Sequence, residues 1–575
     1  MNELLLEPLK GYESQLAARH RENTAAFFEE LLARSGVNEE QNRATVKEYD
    51  SEQTAIAALN KRISRYQLFR VLLIIACVIG AVLLILGLAL PHALLIPIGA
   101  VLVLVSLLLI FLKINPLIKS VKALLPARLA RAAALLEEAH AQMAPLNALF
   151  DNTDALRLIE QTIPEFSFDL HFTERNERAL TEHCNFISRL DECESVLNTL
   201  SGRFYDNPFL FYRYRRQTMG TKTYYGSLTI HWTETYRDSE GKLRTRHRSQ
   251  VLTASVTKPM PYYSTHTALI YGAEAAPDLT FSRRAAHNER LSEKERDRKV
   301  RAGERELQKR AEQSTMEGGD FHEMSNTEFD VLFDALDRTD ELEFRLMYTP
   351  LAQRNTVDLL CSTAGYGDDF DFHKRGRLNY IISEHAQGWH MNTSTSNYVS
   401  HSVEIARANF QSFNEAFFKS VYFDSAPLRA VPAYQEEPCY SLREPDADAS
   451  NYTGYEHESL VNALGQGHFA PRDAATESIL KTDFSAKNAK TDLVTVTAHA
   501  FAAFDRLDLV PMWGDDGKLH SVPVPWVEYV PTERRTDVAV IATGQSEREF
   551  RDASQTLPSG VHFHGLYAYL TDACD

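Results

Sequence analysis

The sequence predicts an α+β membrane protein: a two-helix transmembrane hairpin with flanking cytoplasmic helices, followed by a large mixed, mainly antiparallel α+β cytoplasmic region. Three observations predict it. Val71 to Leu90 and Leu94 to Leu112 are uncharged, mostly apolar runs, and as helices each reaches about 30 Å, the thickness of a hydrocarbon core. Lys61, Arg62, Arg65 and Arg70 precede the first run, and Lys113, Lys119, Lys122, Arg128 and Arg131 follow the second. Beyond Gly202 the texture alternates apolar and polar with the period of a strand.

The flanking charge sets the orientation. Positive residues stay on the cytoplasmic side, so both termini are expected in the cytoplasm and the address is a bacterial cytoplasmic membrane. The six cysteines, Cys77, Cys184, Cys193, Cys361, Cys439 and Cys574, form no CxxC pair, which fits reduced thiols in that compartment rather than zinc ligands or a disulfide frame. With 44% apolar and 24% charged residues over 575 positions, the chain is neither a polytopic transporter nor disordered.

The chain divides into N-terminal cytoplasmic helices (1–67), the transmembrane hairpin (68–112), a cytoplasmic helical stalk (113–202), an antiparallel β region (203–281), a charged helix or mobile excursion (282–318), an α/β region (319–433) and an acidic C-terminal α+β region (434–575). Ile56 and Ile63 on one side of the hairpin, and Leu129, Leu136, Met143 and Phe150 on the other, recur every seven residues, which predicts helices packed as a bundle. Arg178 to Leu200 reads as another helix. Leu228, Ile230 and Trp232 alternate with Thr229, His231 and Thr233, and Leu243 to Lys258 continues beyond a turn at 238–241, so a long hairpin is expected. Leu342 to Tyr348 and Leu378 to Ile382 resemble strands, Val403 to Val421 a helix, Pro427 to Asp448 a boundary or long loop, and Leu493 to His499 and Val538 to Ala542 later strands.

Chemistry is less legible. No GxxxxGK[ST], GxSxG or HExxH motif occurs, and no cofactor or metal site is expected. Asp368, Asp369 and Asp371, and Asp515 with Asp516, read as polar loops. His457 and Glu458, and His562 and His564 around Phe563, are the candidate catalytic residues. They would serve a membrane-associated hydrolase or transferase if a His and carboxylate site converges in the C-terminal region. Arg213, Arg215 and Arg216 lie among aromatic residues, and Arg244, Arg246 and Arg248 share one strand face, a candidate surface for anionic lipid or an acidic protein partner. Nucleic acid is the less economical ligand. The net charge of -17 is uneven, because residues 203–318 are basic and residues 319–575 strongly acidic. The favoured expectation is a non-enzymatic, bilayer-anchored interaction or scaffolding protein, capable of forming a homo-oligomer.

Four phrases, Lys222-Thr223-Tyr224-Tyr225-Gly226-Ser227-Leu228, Phe423-Asp424-Ser425-Ala426-Pro427-Leu428, Tyr455-Glu456-His457-Glu458 and Val522-Pro523-Val524-Pro525-Trp526, together with the two apolar runs, resemble an uncharacterised family of two-transmembrane-helix membrane proteins of mycoplasmas and related low-GC bacteria. Asp340 to Pro350 is similar to a segment of other two-helix bacterial proteins. The resemblance implies a bacterial membrane origin and carries over no catalytic residue.

Overall fold

The computed structural model describes residues 6–89, 95–169, 171–187, 191–237, 239–388, 391–439, 452–488, 491–542, 560–563 and 566–571. It is a mixed α+β protein with antiparallel sheets and two long apolar helices, divided into two compact units.

The helical unit comprises residues 24–150 and 395–413. Helix α1 (Ala17–Ser35) is followed by α2 (Glu39–Ala89), α3 (Leu95–Leu109) and α4 (Asn115–Asn147). The 51 residues of α2 extend for about 75 Å at the helical rise. The helix changes character along its length. Its first half buries Ile56 and Ile63, and α4 buries Ala132, Ala139, Met143 and Leu146, so these segments pack through one stripe. The sevenfold line through Ala132, Ala139 and Leu146 is the buried seam of α4, whereas Leu129 is exposed. In the second half of α2 the apolar side chains face outward everywhere but along the stripe that meets α3, from Leu68 at 60% exposure to Leu88 at 77%. Helix α3 repeats this at Val101 and Leu104. Where α2 and α3 touch, Gly80 and Gly99 bring the backbones together, since a methyl group on Gly80 would crowd Val103 and the Gly99 carbonyl.

The sheet unit comprises residues up to 23, 151–394 and 414–575. Helices α5 (Asp154–Thr162) and α6 (Glu174–Cys184) flank the start of a seven-stranded sheet. Its strands are β1 (Phe166–Asp169), β2 (Glu194–Phe204), β3 (Asn207–Arg237), β4 (Leu243–Gly272), β5 (Thr280–Arg283), β6 (Phe370–Arg375) and β7 (Leu378–Ser383), in the order β1-β2-β3-β4-β7-β6-β5. Helices α7 (Glu293–Glu317), α8 (Thr327–Phe333), α9 (Glu341–Met347) and α10 (Pro350–Cys361) occupy the connection between β5 and β6, and α11 (Val403–Arg429) follows β7. Helix α12 (Gly454–Leu464) leads into the second sheet, β8 (Ile479–Asn488), β9 (Thr491–Trp513), β10 (Leu519–Ala542), β11 (Gly560–Phe563) and β12 (Leu566–Leu570), in the order β11-β12-β10-β9-β8. Every pairing in both sheets is antiparallel. Tyr455 of α12 enters the core beside Val196, Leu210 and Ile270, while Leu460 and Val461 enter the core of Val494, Val496 and Val538. One helix thus supplies both cores.

Several sequence expectations change. Arg178 to Leu200 is not one helix: Asn185 in the left-handed region caps α6, and the chain re-enters as β2, which runs from Glu194 through Gly202 to Phe204. Pairing with β3 overrides local helical texture there. Leu342 to Tyr348 is helical, because Asp340 caps α9 by accepting from the Glu343 backbone at 2.7 Å. Pro427 lies inside α11 rather than opening a loop; residues 440–448 of the expected Pro427 to Asp448 loop lie outside the described residues. The Leu243 to Lys258 run and the Tyr262 to Tyr271 stretch expected to join the hairpin form one unbroken strand, β4, and β3 starts at Asn207, ahead of the expected Thr221. Arg283, at the edge of the charged run, is fully buried in β5 and paired with Asp368. The 365–371 stretch is therefore not a solvated polar loop. Asp369 is bonded to His385 at 2.7 Å, and Asp371 accepts from the Ala285 backbone at 2.8 Å.

Candidate interaction surface

The outer halves of two hairpins form a two-layer arm. Over Thr221–Arg237 and Leu243–Pro259, β3 and β4 pair with each other, and β9 and β10 do the same over Phe501–Trp513 and Leu519–Pro531. Side chains alternate across a strand, so each ribbon has two faces. On the inner faces Ile230, Leu252 and Ala254 pack against Val522 and Val524, with Val510 and Met512 beside them. At Gly226 the two backbones meet, because a methyl group would overlap the Pro523 carbonyl. Lys258 of β4 clamps the layers: its Nζ lies 2.7 Å from Asp508 Oδ2 and 4.1 Å from the centre of the Trp526 ring. Trp526 Nε1 donates to Asp508 Oδ1 at 2.8 Å. The Asp515-Asp516-Gly517 turn closes the β9–β10 ribbon as expected, with Gly517 at φ 73°.

The two outer faces differ in chemistry. That of β3–β4 is a hydroxyl-rich ladder in which Thr223, Ser227, Thr229 and Thr233 oppose Thr257, Thr253, Val251 and His247. The same face of β9–β10 changes along its length. Near the sheet it carries His499 opposite Glu533, and Thr495, which donates to Asp537 at 2.7 Å. Towards the tip Leu507 opposes Pro525, Leu509 opposes Pro523, and Trp513 opposes Leu519. Leu507, Leu509, Trp513 and Leu519 are 61%, 63%, 70% and 56% exposed. A strand with one solvated face alternates, whereas a strand covered on both reads as nearly continuous apolar sequence. By that criterion the outer part of β9–β10 is finished on one face, whereas on the outer face of β3–β4 the exposed Tyr225 and Val251 are interspersed among hydroxyl groups.

The arginines separate into two groups. Arg213 is buried, Arg215 pairs with Glu477 at 2.8 Å, and Arg216 donates to Glu194 at 2.6 Å. Arg244, Arg246 and Arg248 do share a face, opposite Tyr236, Glu234 and Trp232 at the exposed tip of β3–β4. Arg248 is bonded to Glu234 at 3.0 Å. Sixteen positions of β3 separate Arg216 from the partner of Arg248, about 50 Å of strand, so the six side chains do not form one patch.

His457 and Glu458 leave α12 in different directions. Glu458 is fully buried, accepts from the Val196 backbone at 2.9 Å and lies 2.7 Å from Lys481 Nζ. Burial raises its pKa to about 7 against the opposing pull of Lys481. His457 faces Asp492, with Nε2 at 3.5 Å, and stacks on Phe484. Their neighbour Glu456 accepts from the Phe172 backbone and from Thr199, both at 2.7 Å. These groups tie α12 to β2, β8 and β9. His562 belongs to β11, and His564 lies outside the described residues. Sequence reasoning missed the tightest histidine cluster. His385 Nδ1 lies 2.7 Å from Asp369 and Nε2 lies 3.3 Å from Asp424. Tyr366 lies flat on the ring at 3.8 Å. With both nitrogens facing carboxylates and one ring face covered, the cluster serves as a buried cross-link between the short helix Glu384–Gln387 that follows β7, α11 and the 365–369 loop.

No protein-family model matches the chain, and comparison with curated proteins and with solved structures finds no match.

Proposed function

We propose that the chain is an anchored protein of a bacterial cytoplasmic membrane that presents an interaction module to the cytoplasm. The apolar ends of α2 and α3 are the anchor, and the outer face of β9–β10 is the docking surface. The reading rests on one observation: exposed apolar surface takes two distinct forms. On α2 and α3 it covers all but the stripe where the two helices meet, which suits lipid; on β9–β10 it gathers on one face at Leu507, Leu509, Trp513 and Leu519, which suits a protein partner. The basic residues that flank the helices favour the cytoplasmic side for both neighbouring segments, in keeping with the membrane family that the sequence resembles.

Fractionation of the full chain tests it. Recovery with membranes after an alkaline carbonate wash is expected, and a variant with residues 68–112 replaced by a short Gly-Ser linker should move to the soluble fraction. A full chain that stays soluble without detergent would falsify the anchor.

A further inference from the structure

Resting on this reading, we propose that the partner on the outer face of β9–β10 is a second copy of the chain, docked face to face and antiparallel. Over 519–537 β10 pairs only with β9 among the described residues, and this edge directs docking to the face. Pro523, Pro525 and Pro531 have the same parity, and each lacks the N–H that would point away from β9. An added strand would find no donor at these positions.

Chemistry and area then select the occupant. Leu507, Leu509, Trp513 and Leu519 offer on the order of 500 Å² of apolar surface at ordinary side-chain areas. Two such faces bury about 1,000 Å², the lower bound of a specific interface, and sharing one membrane raises the effective concentration of the copies. A bilayer fits less well, because Asp515 and Asp516 stand at the tip beside Trp513 and would meet anionic headgroups. The segments 440–451 and 543–559 are predominantly polar in sequence and make poor covers for an apolar stripe.

Charge fixes the direction. A two-fold axis through the Leu509–Pro523 pair places position 505 of one ribbon over position 513 of the other. Docked parallel, the two copies would set their acidic tips, Asp515 and Asp516 of each, side by side; the antiparallel, isologous contact keeps them apart. Leu519 at each tip then covers Val527 at the other's base.

Light scattering of the full chain in mild detergent tests the proposal. The expected mass is that of two copies at micromolar concentration. Leu509→Asp should give single copies, whereas Thr229→Asp on the hydroxyl face should leave the pair intact. In membranes, Leu509→Cys should be captured as a dimer by a short bis-maleimide above the background given by wild-type Cys193 and Cys439. A wild-type chain of single mass without this crosslink, or a pair indifferent to Leu509→Asp, overturns the proposal. So does a single-mass chain whose dye-labelled Leu509→Cys responds to phosphatidylcholine vesicles, which would assign the face to lipid. Membrane recovery of Leu509→Asp is read alongside: if it stays with the membrane, loss of pairing is separate from loss of the anchor.

Discussion

Gly226 of β3 lies against the backbone of Pro523 in β10, with no room for a side chain between them. This contact sets how closely the two ribbons pack and places Val522 and Val524 among Ile230, Leu252 and Ala254. Gly226→Ala should force the layers apart at a cost of about 1–3 kcal/mol. Thermal unfolding of the full chain, with hydrogen exchange across 222–232 and 519–527, would show it. An unchanged exchange pattern would mean that the ribbons are not packed here.

Asp368 holds the buried guanidinium of Arg283, which also lies over Phe370 at 4.5 Å. Removing one member of a buried pair leaves the other charge uncompensated, so Asp368→Ala should cost about 3–5 kcal/mol. The double variant Arg283→Met, Asp368→Leu should recover much of that loss. Comparable instability of the single and double variants would argue against an ion-pair origin.

The His385 cluster makes stability depend on pH. Burial would lower the histidine pKa, but Asp424 and Asp369 together outweigh it and the net shift is upward. Ser420 contributes through its backbone, and Tyr366 covers the ring with Lys419 4.8 Å above it. A histidine raised on folding contributes stability that is complete below its unfolded pKa and is lost as pH rises through the folded value. Asp424 is raised by burial and titrates with it. Urea midpoints should therefore fall from neutral to mildly alkaline pH, and His385→Asn should flatten that decline. A wild-type midpoint that holds steady across this range would contradict the assignment.

Glu458 shows the same sign at lower pH, with burial as the cause. With its pKa raised to about 7, the folded state retains a proton that the unfolded carboxyl, at 4.5, has released. Stability should then decline as pH rises between those values. Glu458→Gln keeps an acceptor for the Val196 N–H and should remove this slope at a cost of about 1 kcal/mol. Glu458→Ala strands that donor and leaves Lys481 only the Asp191 and Glu194 carbonyls, and about 2–3 kcal/mol should be lost. Equal melting of the two variants would show that the carboxyl position carries no bond.

The long hairpin of β3 and β4 was legible because Leu228, Ile230 and Trp232 alternate with Thr229, His231 and Thr233, and a one-residue slip would expose the whole apolar set. The helix at Leu342 to Tyr348 was misread as a strand although Asp340 and Glu343 carry its start signal. A period of two and a short helical stripe cannot be separated over seven residues. His385 was invisible because its partners Asp369 and Asp424 come from 16 and 39 positions away, and only packing brings them together. The apolar face of β9–β10 was partly readable: Leu507-Asp508-Leu509-Val510-Pro511-Met512-Trp513 is apolar at nearly every position, the texture of a strand covered on both sides.

The sequence by itself determined the local alternatives: two helices too apolar for water, ribbons with defined inner and outer faces, and turns where glycine permits a positive φ. These follow from periodicity and backbone sterics, which act over a few residues. Tertiary structure decided which charges are structural and which surface is free. Arg213, Arg215, Arg216, His457 and Glu458 are drawn into the packing, while Leu507, Leu509, Trp513 and Leu519 are left outside. That division depends on which distant segments come within a few ångströms, because desolvation and ion pairing are set by neighbours in space rather than along the chain.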